Sequence, residues 1–347
     1  MIDLRSDTQT RPSPEMRAAI AAAEVGDEQK REDPTVNELE RRAAELLGQE
    51  EAVYVPTATM ANEIALRTLG KPGDEVVAEE NSHLFISELG GPAVHAGLMT
   101  RQLRCANGRF TPEQLRETVR RTDGTHTPPT KIVSVENTHN ASGGRVWPLT
   151  EIEAVVATAR ELELYVHLDG ARLLNAVVAS GVPAAQIGAH FDTVTLCLSK
   201  GLGCPLGALV AGSQELMTTA RRLKHLFGGA MRQAGIVAAA GVYALEHNIE
   251  RLADDHARAR RLAEGLYEAG VPVDLEQVET NFVQVELAPL RLEPKEALER
   301  LWQQGVGLSM TAHATKLRAV THLDVGDEEI ERAVELIPRA LGALARA

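Results

Sequence analysis

Short apolar runs alternate with helical segments through the first two thirds of this chain. The runs cover residues 52–55, 75–78, 132–135, 164–168 and 193–198. They are apolar at nearly every position, which suits strands that are buried on both faces of a sheet. Strands that alternate with helices in this way favour a mostly parallel sheet with helices packed against it. The sequence therefore predicts an α/β fold.

Two helical segments carry clear start signals. Asp33-Pro34-Thr35 opens a helix whose apolar side chains recur at helical spacing until Gly48. Thr150, followed three residues later by Glu153, predicts a capping box at the start of the helix that precedes the run 164–168. These signals place helices between the predicted strands.

The pattern changes after residue 247. The predicted elements beyond it are a charged helix through residue 266, strands at 282–287 and 317–320, and helices at 294–304 and 327–344. We predict a large α/β domain with an N-terminal arm over residues 1–247 and a smaller α+β domain over residues 248–347. Because no low-complexity linker separates them, we expect the two parts to pack together and share a site.

Composition excludes several classes of function. The formal net charge of −13 disfavours binding to nucleic acid or acidic membranes, because both reward basic surfaces. The longest nearly apolar stretch, residues 234–245, is shorter than the roughly 20 residues that span a bilayer. The first seven residues lack the apolar core of a signal peptide, so we expect a cytoplasmic protein. Three cysteines without C-x-x-C spacing predict neither disulfides nor a zinc site, and we expect no metal.

Two reactive side chains follow neighbouring apolar runs. Lys200 comes just after the run 193–198, and Asp169 ends the run 164–168. Ligands in open α/β sheets bind at the carboxyl ends of strands. Pyridoxal phosphate needs a lysine for its aldehyde and an acid against its pyridine nitrogen, so the pair suggests this cofactor. Either residue alone would more often face solvent or cap the next helix.

Three further segments suit an anionic aromatic cofactor. Thr57-Ala58-Thr59 lies between a predicted strand and helix, where free backbone N–H groups favour a phosphate. The glycine-rich segment 228–233 carries Arg232, which also suits an anion, although the segment could be only a flexible turn. His83 could stack on an aromatic ring, although a lone histidine is more often structural.

Motifs spread over the whole chain resemble one family. They lie at residues 4–10, 25–27, 32–35, 136–140, 143–145, 167–172, 198–201, 231–235 and 317–322. Together they are similar to those of low-specificity L-threonine aldolases, which have the aspartate aminotransferase fold. The resemblance implies a fold-type-I pyridoxal-phosphate enzyme that cleaves L-threonine, L-allo-threonine and related β-hydroxy-α-amino acids to glycine and an aldehyde.

The resemblance also implies roles for single residues. Lys200 would carry the cofactor aldehyde, and Asp169 would keep the pyridine nitrogen protonated. The cofactor phosphate would bind backbone N–H groups of Ala58 and Thr59, together with Arg232 from a neighbouring subunit. A homo-oligomer follows from this shared site, and we expect a tetramer built from catalytic dimers.

The substrate is expected to contact a second set of residues. By the resemblance, Ser6, Arg172 and Arg318 hold its carboxylate, as planar guanidinium groups do well. Arg172 also counts among the residues around the cofactor. A histidine with a pKa near neutrality suits removal of the β-hydroxyl proton. The family's candidates are His83, which we favour, and His126, which would orient the hydroxyl.

The chain departs from the family pattern at several positions. Lys30 and Arg31 stand where many relatives have tyrosine and glycine, and Ser87 often corresponds to tyrosine. His225 stands where lysine is usual. These differences leave the threo or allo preference open.

Other functions compete with an aldolase. Within the same fold the alternatives are a phenylserine aldolase, a β-eliminating lyase, or a transaminase, which needs no base at the β-hydroxyl. A non-catalytic regulatory module is less favoured, because no basic extension or helix-turn-helix is present. A metal-dependent hydrolase using His167 and Asp169 is weaker still, since neighbouring strand residues are expected to point to opposite faces.

Overall fold

The computed structural model describes residues 1–120 and 126–343. The strands are β1 Ile2–Asp3, β2 Glu51–Val55, β3 Glu75–Glu79, β4 Met99–Leu103, β5 Thr130–Glu136, β6 Tyr165–Asp169, β7 Thr193–Cys197, β8 Ala208–Gly212, β9 Phe282–Glu286, β10 Val306–Gly307, β11 Ser309–Met310 and β12 Lys316–Val320.

The helices lie between these strands along the chain, except for the last helix, which follows β12. They are α1 Pro14–Ala21, α2 Pro34–Leu47, α3 Ala58–Leu69, α4 His83–Ile86, α5 Gly91–Val94, α6 Pro112–Thr118, α7 Leu149–Glu161, α8 Leu173–Ser180, α9 Ala184–Gly188, α10 Gln214–Leu226, α11 Gly235–His247, α12 Leu252–Glu268, α13 Pro294–Gln303 and α14 Asp327–Leu341. The predicted end of the last helix at Leu344 lies outside the described residues; Gly342 caps α14 in the left-handed conformation.

The central sheet has the strand order β2-β8-β7-β6-β5-β3-β4. Neighbouring strands from β7 to β4 are parallel, while β8 runs antiparallel to both β7 and β2. Most positions in these strands are buried, as expected for a sheet covered on both faces. The predicted α/β class is confirmed.

The C-terminal part forms a separate, smaller sheet. Strands β11, β12 and β9 pair antiparallel, and a second apolar core lies between them and helices α12 to α14. The N-terminal arm joins this part, because β1 pairs in parallel with β10. The same arm then reaches the central sheet, where Thr10 Oγ1 donates to the carbonyl of Lys200 at 2.8 Å.

One of the two predicted helix starts is confirmed and the other is wrong. Helix α2 begins and ends as predicted: the Asp33 carboxylate accepts the N–H of Val36 at 3.0 Å, and Gly48 caps the helix with φ +66°. The predicted capping box at Thr150 and Glu153 is wrong. Helix α7 begins at Leu149, and Pro148 occupies the N-cap without a side-chain hydrogen bond.

No helix in the described part of the chain is long and apolar enough to cross a membrane.

Candidate active site

The carboxyl ends of three neighbouring strands form the edge on which the site is built. Glu136 ends β5 and is in register with Asp169, which ends β6; Asp169 is in register with Thr195 on β7. Lys200 follows three residues after the end of β7. The parallel pairing therefore brings the acid and the lysine of the sequence prediction to one edge of the sheet.

Asp169 is buried and held as a carboxylate. One oxygen accepts the Nδ2 hydrogen of Asn62 at 3.0 Å, and the other accepts the N–H of Ala171 at 3.1 Å. Burial alone would raise the pKa of Asp169, but the nearby positive charges of His83 and Lys200 outweigh it and hold the pKa below its ordinary value. A charged acid at this place can accept a hydrogen bond from a protonated ring nitrogen.

The side-chain amide of Asn62 contacts four buried groups, one of which is Asp169. Its Nδ2 atom donates to Asp169 and also to Glu88 Oε1, at 2.8 Å. Its Oδ1 atom accepts from Thr195 Oγ1 at 2.9 Å and lies 3.2 Å from His167 Nε2. Because two carboxylates face the amide nitrogen, only this orientation of the amide satisfies all four neighbours.

His167 lies on the same face of β6 as Asp169, since the two are separated by two positions. The expectation that they point to opposite faces is therefore wrong. Both ring nitrogens of His167 already have partners, Asn62 and Thr193 Oγ1, the latter at 2.9 Å. Burial lowers the pKa of His167 to about 4, so the ring is neutral at physiological pH. It supports Asn62 and has no free nitrogen for a metal.

His83 begins the short helix α4 and is fixed at two points. Its backbone N–H donates to Glu136 Oε2 at 2.7 Å, and its ring Nδ1 lies 2.7 Å from Glu88 Oε1. One ring nitrogen of His83 and one oxygen each of Glu88 and Asp169 lie within 4.8 Å of one another. Burial would lower the pKa of His83, but the hydrogen bond to Glu88 and the negative charges nearby raise it above its ordinary value.

Lys200 is partly buried and its backbone is held in place. The carbonyl of Lys200 accepts from Thr10 Oγ1 at 2.8 Å and from the N–H of Gly203 at 2.9 Å. The charge of Lys200 lowers the pKa of both Asp7 and Asp169.

Arg172 forms a buried ion pair with Asp7. Nε and one terminal nitrogen of the guanidinium donate to the two Asp7 oxygens, each at 2.7 Å, and the other contacts Asn140 Oδ1 at 3.3 Å. Burial would raise the pKa of Asp7, but Arg172 overcomes this and holds it well below its ordinary range. Ser6, the neighbour of Asp7, accepts hydrogen bonds from Thr8 through its hydroxyl oxygen.

Arg318 makes fewer hydrogen bonds than Arg172. It donates to Asn140 Oδ1 at 2.8 Å and to Ser309 Oγ at 3.0 Å, and it lies over the ring of Phe282. Burial and the neighbouring charge of Arg172 lower the pKa of Arg318 to about 10, which leaves it charged at neutral pH. Its remaining N–H groups are available for a substrate anion.

A cleft of about 430 Å³ opens beside Arg318. Its walls are formed by Asn81, Ile86, Ser87, Asn140, Ala141, Met310, Thr311 and Ala312. Ser87, one of the departures from the family pattern, therefore lies on the same cleft as the arginine expected to bind the substrate.

The start of α3 provides free backbone donors. Thr57 is the N-cap, and its hydroxyl accepts the N–H of Met60 at 3.2 Å. The N–H groups of Ala58 and Thr59 belong to the first turn, which has no intrahelical acceptor for them. Together with the helix dipole they suit a phosphate.

Two predicted site residues lie away from this cluster of contacts. Arg232 is 62% exposed in its side chain and donates to Asp27 at 2.9 Å. His126 is exposed and directly follows residues 121–125, which lie outside the described chain. The structure brings neither side chain into contact with Asp169 or Lys200 among the described residues.

The other departures lie on the outer surface. Lys30 and His225 are exposed. Arg31 has the left-handed φ of +60° that glycine adopts without strain, and its guanidinium pairs with Glu51 at 3.0 Å.

Sequence reasoning missed several residues that hold the site together. Asp7 and Asn140 lie inside the family motifs, yet no role was expected for them, and Asn62 lies three residues after Thr59 in helix α3. The only signal was the position of Asp7 next to Ser6. Glu88 lies outside all of those motifs, and a single acid in the segment after His83 carries no pattern that would reveal it.

The donor set matches pyridoxal phosphate. An ionised buried acid, a lysine and an imidazole meet at one strand edge, and a helix with free N–H groups begins nearby. These groups correspond to the pyridine nitrogen, the aldehyde, the ring face and the phosphate of this cofactor.

Comparisons with known proteins agree with this chemistry. Residues 3–288 match the family described as beta-eliminating lyase. The low specificity L-threonine aldolase of Escherichia coli strain K12 is 40% identical over 331 residues, which cover 95% of this chain and 96% of the relative. The probable low-specificity L-threonine aldolase 2 of Arabidopsis thaliana is 39% identical and covers 95% of this chain and 94% of its own.

A solved structure shares the fold. The threonine aldolase of Leishmania major superimposes with a TM-score of 0.84 at 21% identity, covering 98% of this chain and 100% of the other. The family match spans most of the sequence, and the two relatives align over nearly all of it. This chain therefore belongs to the beta-eliminating lyase family, as a pyridoxal-phosphate-dependent lyase similar to the low-specificity L-threonine aldolases.

Proposed function

We propose that this enzyme cleaves L-threonine, L-allo-threonine and related β-hydroxy-α-amino acids to glycine and an aldehyde. The observation that carries the proposal is the convergence of His83, Asp169 and Lys200 at one edge of the sheet, where their side chains act on one another electrostatically. An acid for the ring nitrogen, a lysine for the aldehyde and an imidazole for the hydroxyl are the three groups that this cleavage requires.

Five residues of one chain are assigned to direct contact with the cofactor, in addition to Arg172 near it and Arg232 of a neighbouring subunit. Lys200 would hold the aldehyde carbon, Asp169 would keep the ring nitrogen protonated, and His83 would lie against the ring. Backbone N–H groups of Ala58 and Thr59 would hold the phosphate. Bound pyridoxal phosphate withdraws the electron pair that remains on Cα when the Cα–Cβ bond breaks.

The substrate carboxylate is assigned to Arg318, assisted by Ser6 and Arg172. Arg318 lines the cleft and retains free N–H groups, whereas Asp7 occupies two nitrogens of Arg172. Arg172 therefore contributes through its remaining nitrogen and its charge. Its pairing with Asp7 also fixes the segment that carries Ser6.

His83 is assigned as the base that removes the proton of the β-hydroxyl. Its side chain is about one third exposed, and its Nδ1 atom contacts Glu88. A neutral imidazole is a suitable base near neutral pH. His126 would orient the hydroxyl, a role that requires its exposed loop to reach the cleft.

The proposal includes a homo-oligomer in the cytoplasm. Arg232 is exposed, which suits a contact with the phosphate of a neighbouring subunit. Leu89, Val94 and Leu226 are at least 73% exposed, and apolar side chains of this size are commonly covered at interfaces. We propose catalytic dimers that pair into tetramers, with each chain divided into parts 1–247 and 248–347.

Product analysis tests the proposal against its alternatives. The purified protein with pyridoxal phosphate should show a visible absorption band, and borohydride should attach the cofactor to the peptide that contains Lys200. L-threonine and L-allo-threonine should each yield glycine and acetaldehyde in equal amounts. A keto acid formed with free ammonia would identify a β-eliminating lyase. A keto acid formed only when a second keto acid is present to accept the amino group, without free ammonia, would identify a transaminase. Phenylserine cleavage without threonine cleavage would indicate a phenylserine aldolase, and binding without any product would indicate a regulatory module.

A further inference from the structure

Glu88 is a buried acid that contacts both sides of the site. Its side chain has no exposed surface. Oε1 accepts from Asn62 Nδ2 at 2.8 Å and lies 2.7 Å from His83 Nδ1. The same Asn62 nitrogen binds Asp169 at 3.0 Å, so one amide joins Glu88 to the acid of the cofactor site.

The contact with Glu88 determines which nitrogen of His83 carries hydrogen. An ionised carboxylate can only accept a hydrogen bond, so the Nδ1 atom of His83 must be the donor. In the neutral imidazole, Nε2 then has the free lone pair. A base that acts on the β-hydroxyl needs such a lone pair, and the contact with Glu88 leaves it on Nε2.

Glu63 supports Glu88 from the interior. Glu63 is 2% exposed. Within the described residues, no N–H or hydroxyl group donates a hydrogen bond to either oxygen of Glu63 or to Oε2 of Glu88. Burial, together with the charge of Glu88, raises the pKa of Glu63 to about 9. Glu63 is therefore a neutral acid that can donate its proton to Glu88, which satisfies Glu88 Oε2 and one of the two Glu63 oxygens.

A glycine makes room for this pair. A Cβ atom at Gly91 would overlap the carboxyl group of Glu63. The preceding turn uses two left-handed residues, Leu89 at φ +52° and Gly90 at φ +79°, to bring the chain back over Glu63 directly after Glu88. The backbone is thus shaped around the two acids.

We propose that Glu88 is the positioning residue of His83, with Glu63 as its buried support. Glu88 keeps Nδ1 of His83 bonded and leaves Nε2 free to accept the proton of the substrate hydroxyl. The proposal rests on the proposed function in one respect, which is the assignment of His83 as the base.

The charged groups around His83 set the expected pH behaviour. They are Glu88 from the turn after α4, Asp169 from β6 and Glu136 from β5. Lys200 and His167 also act on Asp169, and Glu88 acts on Glu63. All three acids that act directly on His83 favour its charged form. Loss of the Glu88 charge should therefore lower the pKa of His83 and move the acidic limb of the activity profile to lower pH.

NMR of the holoenzyme labelled with ¹⁵N-histidine tests the hydrogen bond. In the wild type, neutral His83 should carry its hydrogen on Nδ1. The Glu88→Ala variant should show both tautomers and a lower pKa of His83. The Glu88→Gln variant keeps a carbonyl acceptor but loses the charge, so it should retain the Nδ1–H tautomer with a lowered pKa. Because glutamine has nearly the same volume as glutamate, this variant can be measured even if the alanine variant does not fold.

Kinetics test the consequence for catalysis. Glu88→Ala should lower kcat for L-threonine by about 100-fold, the loss that a small misplacement of a reacting group causes, with a much smaller change in KM. Glu88→Gln should recover part of that loss. Glu75→Gln is the matched control, because Glu75 is equally buried but begins β3 at the opposite edge of the sheet. It should leave the tautomer, pKa and profile of His83 unchanged.

Two results would overturn the inference. One is a His83 tautomer and pKa that are the same in the wild type and in both Glu88 variants. The other is undiminished turnover in His83→Asn, which would remove the need for a positioned imidazole. Failure of the proposed function is a separate outcome: the wild type would release no aldehyde, while the NMR comparison would still decide whether Glu88 sets the state of His83.

Discussion

Asp169 and Glu88 are two buried carboxylates that share one Asn62 amide, yet their surroundings give them different chemistry. The charges of His83 and Lys200 hold the pKa of Asp169 below its ordinary value, whereas Glu88 contacts Nδ1 of the same His83 and acts on the acid Glu63. Asp169 therefore suits a protonated ring nitrogen, and Glu88 suits the orientation of a base. Single substitutions should separate these roles.

Asp169→Asn should lower kcat by about 10²–10³-fold, as occurs when one group that stabilises developing charge is lost. The amide is neutral and no longer favours protonation of the ring nitrogen, although the side chain keeps its shape. Absorption titration with pyridoxal phosphate should show that the variant still binds cofactor. Asp192→Asn is the control, because Asp192 lies at the amino end of β7 and pairs with Arg160. Near-normal turnover of the Asp169 variant would contradict the assigned role.

Loss of Arg318 should mainly affect substrate binding, whereas loss of Arg172 should mainly affect stability. Arg318→Leu should raise KM for L-threonine with little loss of stability, because this side chain lines the cleft. Arg172→Leu leaves Asp7 buried without its cation, which costs roughly 3–5 kcal/mol when a buried pair is broken. Urea unfolding and steady-state kinetics on both variants measure the difference. Equal losses of stability, or an unchanged KM in Arg318→Leu, would argue against this division.

At the scale of elements, the N-cap of α2 does more than begin a helix. The Asp33 carboxylate accepts the N–H of Val36 at 3.0 Å, that of Gly26 at 3.2 Å and that of Gly235 at 2.8 Å. It therefore joins the N-terminal arm, α2 and the start of α11. The sequence identified the cap but not the two distant donors.

Asp33→Ala should lower the free energy of unfolding by about 3 kcal/mol, since it removes a cap and leaves the N–H groups of Gly26 and Gly235 without this acceptor. Ser213→Ala is the comparison, because Ser213 caps α10 through a single hydrogen bond to Leu216. That variant should lose about 1 kcal/mol. Urea unfolding with unchanged m-values measures both, and similar losses would show that the contacts with Gly26 and Gly235 contribute little.

Elements with a continuous apolar pattern were predictable, and those defined by their neighbours were not. The five strands proposed for the first two thirds of the chain all exist within one or two residues of the expected bounds. Strand β4, with the sequence of residues 99–103, has mostly exposed polar positions because it lies at the sheet edge. Strand β8 runs antiparallel, which no local pattern indicates.

In the candidate site, the positions of some residues could be predicted from the sequence, and the contacts between distant residues could not. Lys200 and Asp169 stand at strand ends, so their position followed from the strands themselves. The contacts of Asn62 with Asp169 span 107 positions along the chain, and those of Arg172 with Asp7 span 165. Such pairings depend on how the sheet and the N-terminal arm meet, and a single sequence does not contain that geometry.

At the scale of the whole molecule, the N-terminal arm connects the two parts of the chain. Its first residues pair with β10 beside the small sheet, Asp7 binds Arg172, and Thr10 binds the backbone of Lys200. The arm therefore links the small sheet to residues assigned to the cofactor and the substrate. The phosphate contact assigned to Arg232 would extend this dependence to a second subunit.

Subunit mixing tests whether Arg232 acts across an interface. Lys200→Ala and Arg232→Leu should each be nearly inactive as pure oligomers. If Arg232 serves the neighbouring subunit, a mixed dimer contains one site with both native residues, because the intact Lys200 of one chain meets the intact Arg232 of the other. Random reassembly of equal amounts into symmetric dimers would then restore about a quarter of the wild-type activity. If Arg232 serves its own subunit, every site in the mixture lacks one residue and no activity returns.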